Sequence, residues 1–232
     1  MRTRIKICGL TREDDIDAAV AVGADAVGFV LYPPSPRAVS IHRAAELARR
    51  LPPFVAPVGL FVNASPDDIA AACRAMPTLV LQFHGDETPE DCAWPQRPFL
   101  RAARVTEGFA LLDFAARFRQ ARGILLDAHV EGYGGGGKVF DWSLVPQAAG
   151  LARDLPPLVL SGGLSPANVG DGIAHVRPWA VDVSSGVERS GPGQKGIKDH
   201  AAMRRFCDAV RAADALIEAS VQATGPGSRA PT

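Results

Sequence analysis

The stretch Arg4-Ile5-Lys6-Ile7-Cys8-Gly9-Leu10-Thr11, near the start of the 232-residue chain, is the segment that decides the fold. It predicts a buried strand that ends at Cys8, a turn at Gly9 and the start of a helix. In a barrel of alternating strands and helices, catalytic side chains lie at the C-terminal ends of the strands. Cys8 is therefore either a buried structural thiol or, if its pKa is lowered, a base or nucleophile.

The same unit of strand, turn and helix repeats along the chain. Eight apolar runs predict strands, at Arg4–Cys8, Ala26–Leu31, Ala56–Val62, Leu79–Gln82, Phe99–Ala103, Gly123–Asp127, Leu158–Ser161 and Ala180–Ser184. Several of these runs are uninterrupted, which is typical of strands covered on both faces. Eight repeats without an internal linker predict an α/β protein with a closed (β/α)8 TIM barrel, and a doubly wound open sheet is the alternative.

Local patterns indicate where elements begin and end. Thr11 and Asp14 resemble a capping box, and Ser65-Pro66 and Ser165-Pro166 each place a proline in the first helical turn after a serine cap. The last helix is expected at about Asp199–Ala219, where apolar residues recur at steps of three and four. We expect residues 1–220 to form a single catalytic domain and residues 221–232 to form a disordered tail.

Composition limits the classes of partner. The chain carries 25 basic and 25 acidic residues, so charge gives no reason to expect nucleic acid or an anionic membrane as a partner. The four cysteines and five histidines show no spacing typical of metal ligands, so no metal is expected. The lack of a disulfide framework and of an N-terminal apolar run indicates a cytoplasmic protein. A monomer and a homodimer both stay open.

Asp127 follows an apolar run and is predicted to lie at the C-terminal end of the sixth strand. Because Cys8 ends the first strand, both side chains would project toward the same rim of a barrel. Two titratable groups of different type suit proton transfer, one as the acid and the other as the base. The alternative is that Asp127 caps a loop or pairs with a nearby cation.

Two glycine-rich turns follow the last two predicted strands. In many barrels these loops bind phosphate through backbone N–H groups, and glycine lets the backbone approach the oxygens closely. The residues expected to bind phosphate are Gly162, Gly163, Ser184, Ser185 and Gly186. Asp182 cannot hold phosphate while it is ionised, so we expect it to orient the loop or to contact hydroxyls of the ligand.

Four further polar side chains follow predicted strands. Arg37 ends a proline-rich loop and suits bidentate recognition of a carboxylate, although a solvated surface arginine is the alternative. Gln82 and His84 lie at the end of the fourth strand, where both can hydrogen-bond a ligand, although His84 could also be a satisfied core residue. Lys138 follows a run of glycines that could close over a ligand.

Taken in order, these segments resemble the phosphoribosylanthranilate isomerase family of tryptophan biosynthesis. The segments that carry the resemblance are Lys6-Ile7-Cys8-Gly9-Leu10-Thr11, Ser35-Pro36-Arg37, Leu81-Gln82-Phe83-His84-Gly85, Leu126-Asp127, Lys138-Val139-Phe140-Asp141-Trp142, Ser161-Gly162-Gly163-Leu164 and Val181-Asp182-Val183-Ser184-Ser185-Gly186-Val187-Glu188. The resemblance implies a (β/α)8 barrel and an Amadori rearrangement of N-(5-phosphoribosyl)anthranilate, without a metal or an organic cofactor.

The resemblance also implies roles for individual residues. It makes Asp127 the general acid that protonates the furanose ring oxygen, and Cys8 the base that removes the proton from sugar C2. Asp127 must then start the cycle protonated and Cys8 must start it as a thiolate. Arg37 would face the anthranilate carboxylate, and the two glycine-rich turns would hold the phosphate.

The chain departs from the family pattern at one position and leaves another ambiguous. Gly136 stands where the family's loop usually has a threonine, and either Lys195 or Lys198 could be the lysine of the family's pattern. Two rival functions are also considered. A related sugar isomerase of histidine biosynthesis would have an aspartate where Cys8 stands, and a non-catalytic binding subunit would not need Cys8 and Asp127 together.

Overall fold

The computed structural model describes residues 2–128, 141–145 and 155–224, and strands and helices alternate along this part of the chain. The strands are β1 (Arg4–Cys8), β2 (Ala26–Val30), β3 (Ala56–Phe61), β4 (Val80–Phe83), β5 (Phe99–Val105), β6 (Gly123–Ala128), β7 (Leu158–Leu160) and β8 (Ala180–Val183). The α-helices of the described residues are α1 (Glu13–Ala21), α2 (Ile41–Ala48), α3 (Pro66–Ala75), α4 (Pro89–Ala93), α5 (Leu111–Arg117), α6 (Val169–Val176) and α7 (His200–Thr224). Short 3₁₀ helices lie at Trp142–Leu144 and Ser185–Val187.

The strands form one closed parallel barrel in chain order. Strands β1 and β8 close it, with Ile5 opposite Val181 and Lys6 opposite Asp182. This pairing confirms the (β/α)8 barrel and excludes the doubly wound open sheet, which would leave two strands without a second neighbour. All eight strands lie where the apolar runs predict them.

Apolar side chains fill two separate layers. The larger layer lies between the strands and the surrounding helices, and in β1 it includes Ile5 and Ile7. A smaller cluster lies on the inner faces of the strands and consists of Ala102, Leu125, Val159 and Ala180. Because side chains alternate along a strand, Lys6 and Asp182 share these inner faces. The upper part of the barrel interior is therefore polar, and this polar layer is the floor of the candidate site.

Only one of the three predicted helix starts is correct. Helix α3 is capped as expected, since the Ser65 hydroxyl accepts a hydrogen bond from the Asp68 N–H. The Thr11 capping box is wrong, because α1 begins at Glu13 and its N-cap, Arg12, makes no side-chain cap bond. Three acidic residues in the first turn of α1 stabilise that end through the helix dipole.

The two remaining boundary predictions also need correction. The start predicted at Ser165-Pro166 is wrong, because the Ser165 N–H donates to Asn168 Oδ1 and closes a turn, so α6 begins at Val169. Helix α7 extends to Thr224. Residues 221–224, expected in the disordered tail, are therefore its last turn, and residues 225–232 lie outside the described part of the chain.

Candidate active site

Cys8 is the last residue of β1, and Lys6 precedes it on the same inner face. Both side chains are buried. Lys6 Nζ donates to Asp182 Oδ1 over 2.8 Å, and the charge of the Lys6 ammonium also acts on the Cys8 thiol. On the neighbouring side, Ser161 Oγ donates to Asp182 Oδ2 over 3.4 Å. Asp182 thus links the lysine beside the thiol to the turn that follows β7.

Opposing effects act on the pKa of Cys8. Burial raises this pKa most strongly, the Lys6 ammonium lowers it, the Asp182 carboxylate raises it and Lys198 lowers it. The net result is a pKa above that of an ordinary thiol. Burial would lower the pKa of Lys6, but the charges of Asp182 and Cys8 hold it above its ordinary value. Lys6 therefore keeps its charge and is the main group available to stabilise a Cys8 thiolate.

Gly28 on β2 makes room for the Cys8 thiol. The two residues lie opposite each other where β1 pairs with β2. A methyl group at position 28 would lie 2.5 Å from Cys8 Sγ and 3.0 Å from Cys8 Cα. Since carbon and sulfur atoms cannot approach this closely without displacement, any residue larger than glycine would move Cys8.

Arg37 belongs to a buried cluster of three charges. Its Nε and Nη2 donate to Glu188 Oε1 and Oε2 over 2.6 and 2.9 Å, which makes a bidentate pair. Lys198 Nζ donates to the same Glu188 Oε1 over 3.0 Å. Burial alone would raise the pKa of Glu188, but Arg37 and Lys198 hold it below its ordinary value. Two cations therefore face one carboxylate, which we call the Arg37–Glu188–Lys198 cluster.

Ser184 joins this cluster to the backbone beside the thiol. Its hydroxyl donates to the Cys8 carbonyl oxygen over 3.0 Å and accepts from Lys198 Nζ over 3.4 Å. A phosphate contact from Ser184 would therefore come from its backbone N–H. Gly9 lies against both partners, since a methyl group there would be 2.6 Å from Arg37 Cδ and 3.1 Å from Ser184 Oγ.

Asp127, near the end of β6, lies against the ring of His84. Its Oδ2 lies 3.0 Å from His84 Nε2, and His84 Nδ1 lies 3.2 Å from Gln82 Nε2. With Gln82 Nε2 as the donor, His84 Nδ1 accepts and a ring N–H at Nε2 is directed at Asp127; this amide orientation leaves Gln82 Oε1 buried without a partner among the described residues. All three side chains are buried. Gln82 and His84, expected to contact a ligand, bond to each other, and His84 also bonds Asp127.

The two glycine-rich turns lie side by side on the same rim. Gly162 and Gly163 have φ angles of 78° and 68°, which residues other than glycine rarely adopt. A methyl group at Gly186 would lie 1.9 Å from the Leu164 carbonyl oxygen, so the second turn packs directly on the first. Within the described residues, the backbone N–H groups of Gly162, Gly163, Ser185 and Gly186 have no acceptor. These groups suit an anion such as phosphate.

Sequence reasoning missed the partners of the predicted residues. Lys6 and Glu188 could have been identified from the sequence, because a charged residue in or beside a buried strand needs a partner. The structure also distinguishes the two candidate lysines, since Lys198 is buried in the cluster and Lys195 is exposed. The predicted residue Lys138, with the glycines before it, lies outside the described residues.

The described residues contain neither a group of metal ligands nor a membrane-spanning helix. Among them, no group of three or more His, Cys, Asp or Glu side chains could hold a metal ion. None of the helices in this part of the chain is long and apolar enough to cross a membrane.

Comparisons with known proteins agree on one family. Residues 5–209 match the family model described as N-(5'-phosphoribosyl)anthranilate (PRA) isomerase. An N-(5'-phosphoribosyl)anthranilate isomerase of Methylibium petroleiphilum is 70% identical over 220 residues, which cover 95% of this chain and 99% of the relative. The corresponding protein of Leptothrix cholodnii is 66% identical over 215 residues, which cover 92% of this chain and 93% of the relative.

Solved structures give the same result. The phosphoribosyl anthranilate isomerase of Thermotoga maritima superposes with a TM-score of 0.78 at 39% identity, covering 90% of this chain and 99% of that chain. A second isomerase structure was solved in complex with reduced 1-(o-carboxyphenylamino)-1-deoxyribulose 5-phosphate. It superposes with a TM-score of 0.74 at 37% identity, covering 90% of this chain and 99% of that chain.

Proposed function

The chain belongs to the N-(5'-phosphoribosyl)anthranilate isomerase family, and on this premise we propose which of its side chains carry out the reaction. The enzyme is an isomerase of tryptophan biosynthesis and catalyses an Amadori rearrangement. It converts N-(5-phosphoribosyl)anthranilate to 1-(2-carboxyphenylamino)-1-deoxyribulose 5-phosphate. Because these two compounds are isomers, the conversion needs proton transfers and no external oxidant or reductant.

Asp127 acts first, as the general acid. It protonates the furanose ring oxygen, the bond from that oxygen to C1 breaks, and the nitrogen lone pair forms an iminium with C1. Because Asp127 Oδ2 accepts the bond from His84, we assign the transferred proton to Oδ1. His84 then stabilises the carboxylate that remains, since its Nε2–H is already directed at Asp127.

Cys8 acts second, as the general base. The iminium makes the proton on C2 acidic, and the Cys8 thiolate removes it to leave an enolamine. The enolamine then tautomerises, as C1 gains a proton and the C2 hydroxyl loses one, which gives the ketone. These transfers return Cys8 and Asp127 to their starting protonation states. The Lys6 ammonium stabilises the thiolate while it exists, because its positive charge lowers the pKa of Cys8 and its bond to Asp182 holds it in place.

The remaining predicted residues bind the two anionic ends of the substrate. Arg37 lies beside the turn after Cys8 and serves the anthranilate carboxylate, held in orientation by its bidentate pair with Glu188. The N–H groups of Gly162, Gly163, Ser184, Ser185 and Gly186 serve the 5-phosphate. Glycine at these turns lets the backbone reach the phosphate oxygens.

One observation supports this assignment of the acid and the base more strongly than the others. The barrel brings a thiol with a lysine partner and a carboxylate with a histidine partner to the C-terminal ends of β1 and β6, at one rim. A protein that only bound a sugar phosphate would need the glycine-rich turns, but it would not need this pair of proton-transfer groups.

A fluorescence assay of the purified protein tests the proposed function. The substrate is formed in situ from anthranilate and ribose 5-phosphate, and its disappearance is followed with and without EDTA. We expect rapid and equal loss of signal in both samples. A folded protein that binds the reduced product analogue but does not convert the substrate would instead be a binding subunit.

The cytoplasmic location stays a prediction. It depends on the absence of a disulfide framework, and all four cysteines are free thiols in the structure.

A further inference from the structure

We propose that Lys198 is a specificity-determining residue that supplies the positive charge by which the site selects the anthranilate carboxylate. This inference rests on the proposed function and assigns part of the selectivity to a residue other than Arg37. Arg37 would supply directed hydrogen bonds to the carboxylate, and Lys198 would supply the charge that balances it.

The charges of the Arg37–Glu188–Lys198 cluster do not balance among its three side chains. Arg37 forms a close bidentate pair with Glu188, so its charge is compensated within the protein. The Lys198 ammonium lies 3.0 Å from the same carboxylate, and this second cation leaves the cluster with one surplus positive charge. Nearby, Lys6 and Asp182 form a pair of their own. While Cys8 is a neutral thiol, a substrate carboxylate beside Arg37 would meet the surplus charge and bring the cluster to balance.

Three oxygens hold Lys198 as an ammonium, against burial, which lowers the pKa of its side chain below the ordinary value. Its Nζ lies within hydrogen-bond distance of three oxygens, which are the Ser184 carbonyl at 3.0 Å, the Ser184 hydroxyl at 3.4 Å and Glu188 Oε1 at 3.0 Å. The Ser184 hydroxyl gives its own proton to the Cys8 carbonyl, so all three oxygens accept from Lys198. Three such bonds need three N–H groups, and only the protonated amine has them.

The fold fixes the position of Lys198. Its side chain is 0% exposed. Its backbone N–H donates over 3.3 Å to Asp15, a buried carboxylate in α1, and residues 188 and 198 pair in an antiparallel bridge. Lys195, by contrast, is exposed. A fixed, buried ammonium contributes more to recognition of an anion than a mobile, hydrated one. Water and salt screen its charge less, and its side chain does not have to become ordered when the anion binds.

The test compares two ligands by calorimetry. One is reduced 1-(o-carboxyphenylamino)-1-deoxyribulose 5-phosphate, and the other is the same compound without its carboxyl group. The ratio of their two Kd values measures recognition of the carboxylate. We expect Lys198→Met to reduce this ratio roughly tenfold or more. Lys195→Met is the matched control and should leave the ratio as in the wild type.

A double variant separates charge from a structural effect. Lys198→Met leaves Arg37 and Glu188 balanced, and adding Glu188→Gln restores one surplus positive charge. We therefore expect the double variant Lys198→Met/Glu188→Gln to recover carboxylate recognition above that of Lys198→Met. A structural role for Lys198 predicts further loss instead.

The inference is overturned if Lys198→Met keeps the wild-type ratio, or if the double variant is no better than Lys198→Met. Binding is measured without turnover, so failure of this inference and failure of the proposed function give different results. A wild type that binds these ligands and does not convert the substrate would contradict the proposed function, while the Kd ratios would still decide the role of Lys198.

Discussion

The proposed base and the proposed acid lie on one rim but in different electrostatic surroundings. Cys8 ends β1 beside the Lys6–Asp182 pair and near the Arg37–Glu188–Lys198 cluster. Asp127, near the end of β6, lies 3.0 Å from the ring of His84, which in turn contacts the amide of Gln82. Two groups of ion pairs surround the proposed base, whereas the proposed acid contacts an imidazole that an amide orients.

The difference follows from what each group must do. A buried thiol resists ionisation, because burial raises its pKa, and only nearby positive charge opposes this effect. A general acid has the opposite requirement, since a cation bonded to its carboxylate would favour loss of the proton before the reaction. A neutral imidazole can hold the Asp127 carboxyl in place without adding charge. Strand pairing also places Arg104 of β5 opposite Asp127. The Arg104 guanidinium lies 3.9 Å from the Asp86 carboxylate, from Nη1 to Oδ1.

The largest expected effects come from removing the two groups themselves. We expect Cys8→Ala and Asp127→Asn each to lower kcat by about 10²–10⁴-fold, the usual contribution of one general acid or base. Steady-state kinetics with the fluorescence assay measures this loss, and circular dichroism checks that each variant folds. Near-normal turnover in either variant would refute the role assigned to that residue.

Gly28→Ala tests the base side without touching a charged group. The added methyl would lie 2.5 Å from Cys8 Sγ, so the thiol must move. Because a displacement of about 1 Å can cost roughly 10²-fold, we expect kcat to fall by about that factor while KM changes little. The matched control is Gly170→Ala, at a position where a methyl group meets no atom within 4 Å. Equal kinetics in the two variants would show that Gly28 does not position Cys8.

His84 variants test the acid side, where smaller effects are expected. His84→Leu removes the hydrogen bond to Asp127, and a lost bond to a buried polar group costs about 1–3 kcal/mol. That energy corresponds to roughly 5- to 150-fold in kcat. His84→Gln retains a neutral N–H near the Nε2 position, so its kcat should lie closer to the wild type. The hydrogen-bonding role of His84 would be refuted if both variants lost the same activity.

The sequence predicts the positions of the proposed base and acid at strand ends better than it predicts which side chains contact them. Apolar runs bounded by turns locate Cys8 and Asp127 at strand ends, since burial on both faces leaves a strong pattern. Which residues meet across the rim depends on pairing between distant strands. The bond between His84 and Asp127 joins β4 to β6, and the contact of Gly28 with Cys8 depends on the register of β1 and β2. Lys195 and Lys198 look equivalent in sequence, and only the fold buries one of them.

The most direct test of the difference between the two sides is a pH titration of the Cys8 thiolate by its ultraviolet absorbance. Subtracting the spectrum of Cys8→Ala removes the other cysteines and the tyrosines. We expect the wild-type midpoint to lie above that of an ordinary thiol, because burial raises the pKa of Cys8. Lys6→Met should move the midpoint further up, and His84→Leu should leave it in place. A midpoint that responds to His84→Leu but not to Lys6→Met would contradict the assignment of charge to the base side.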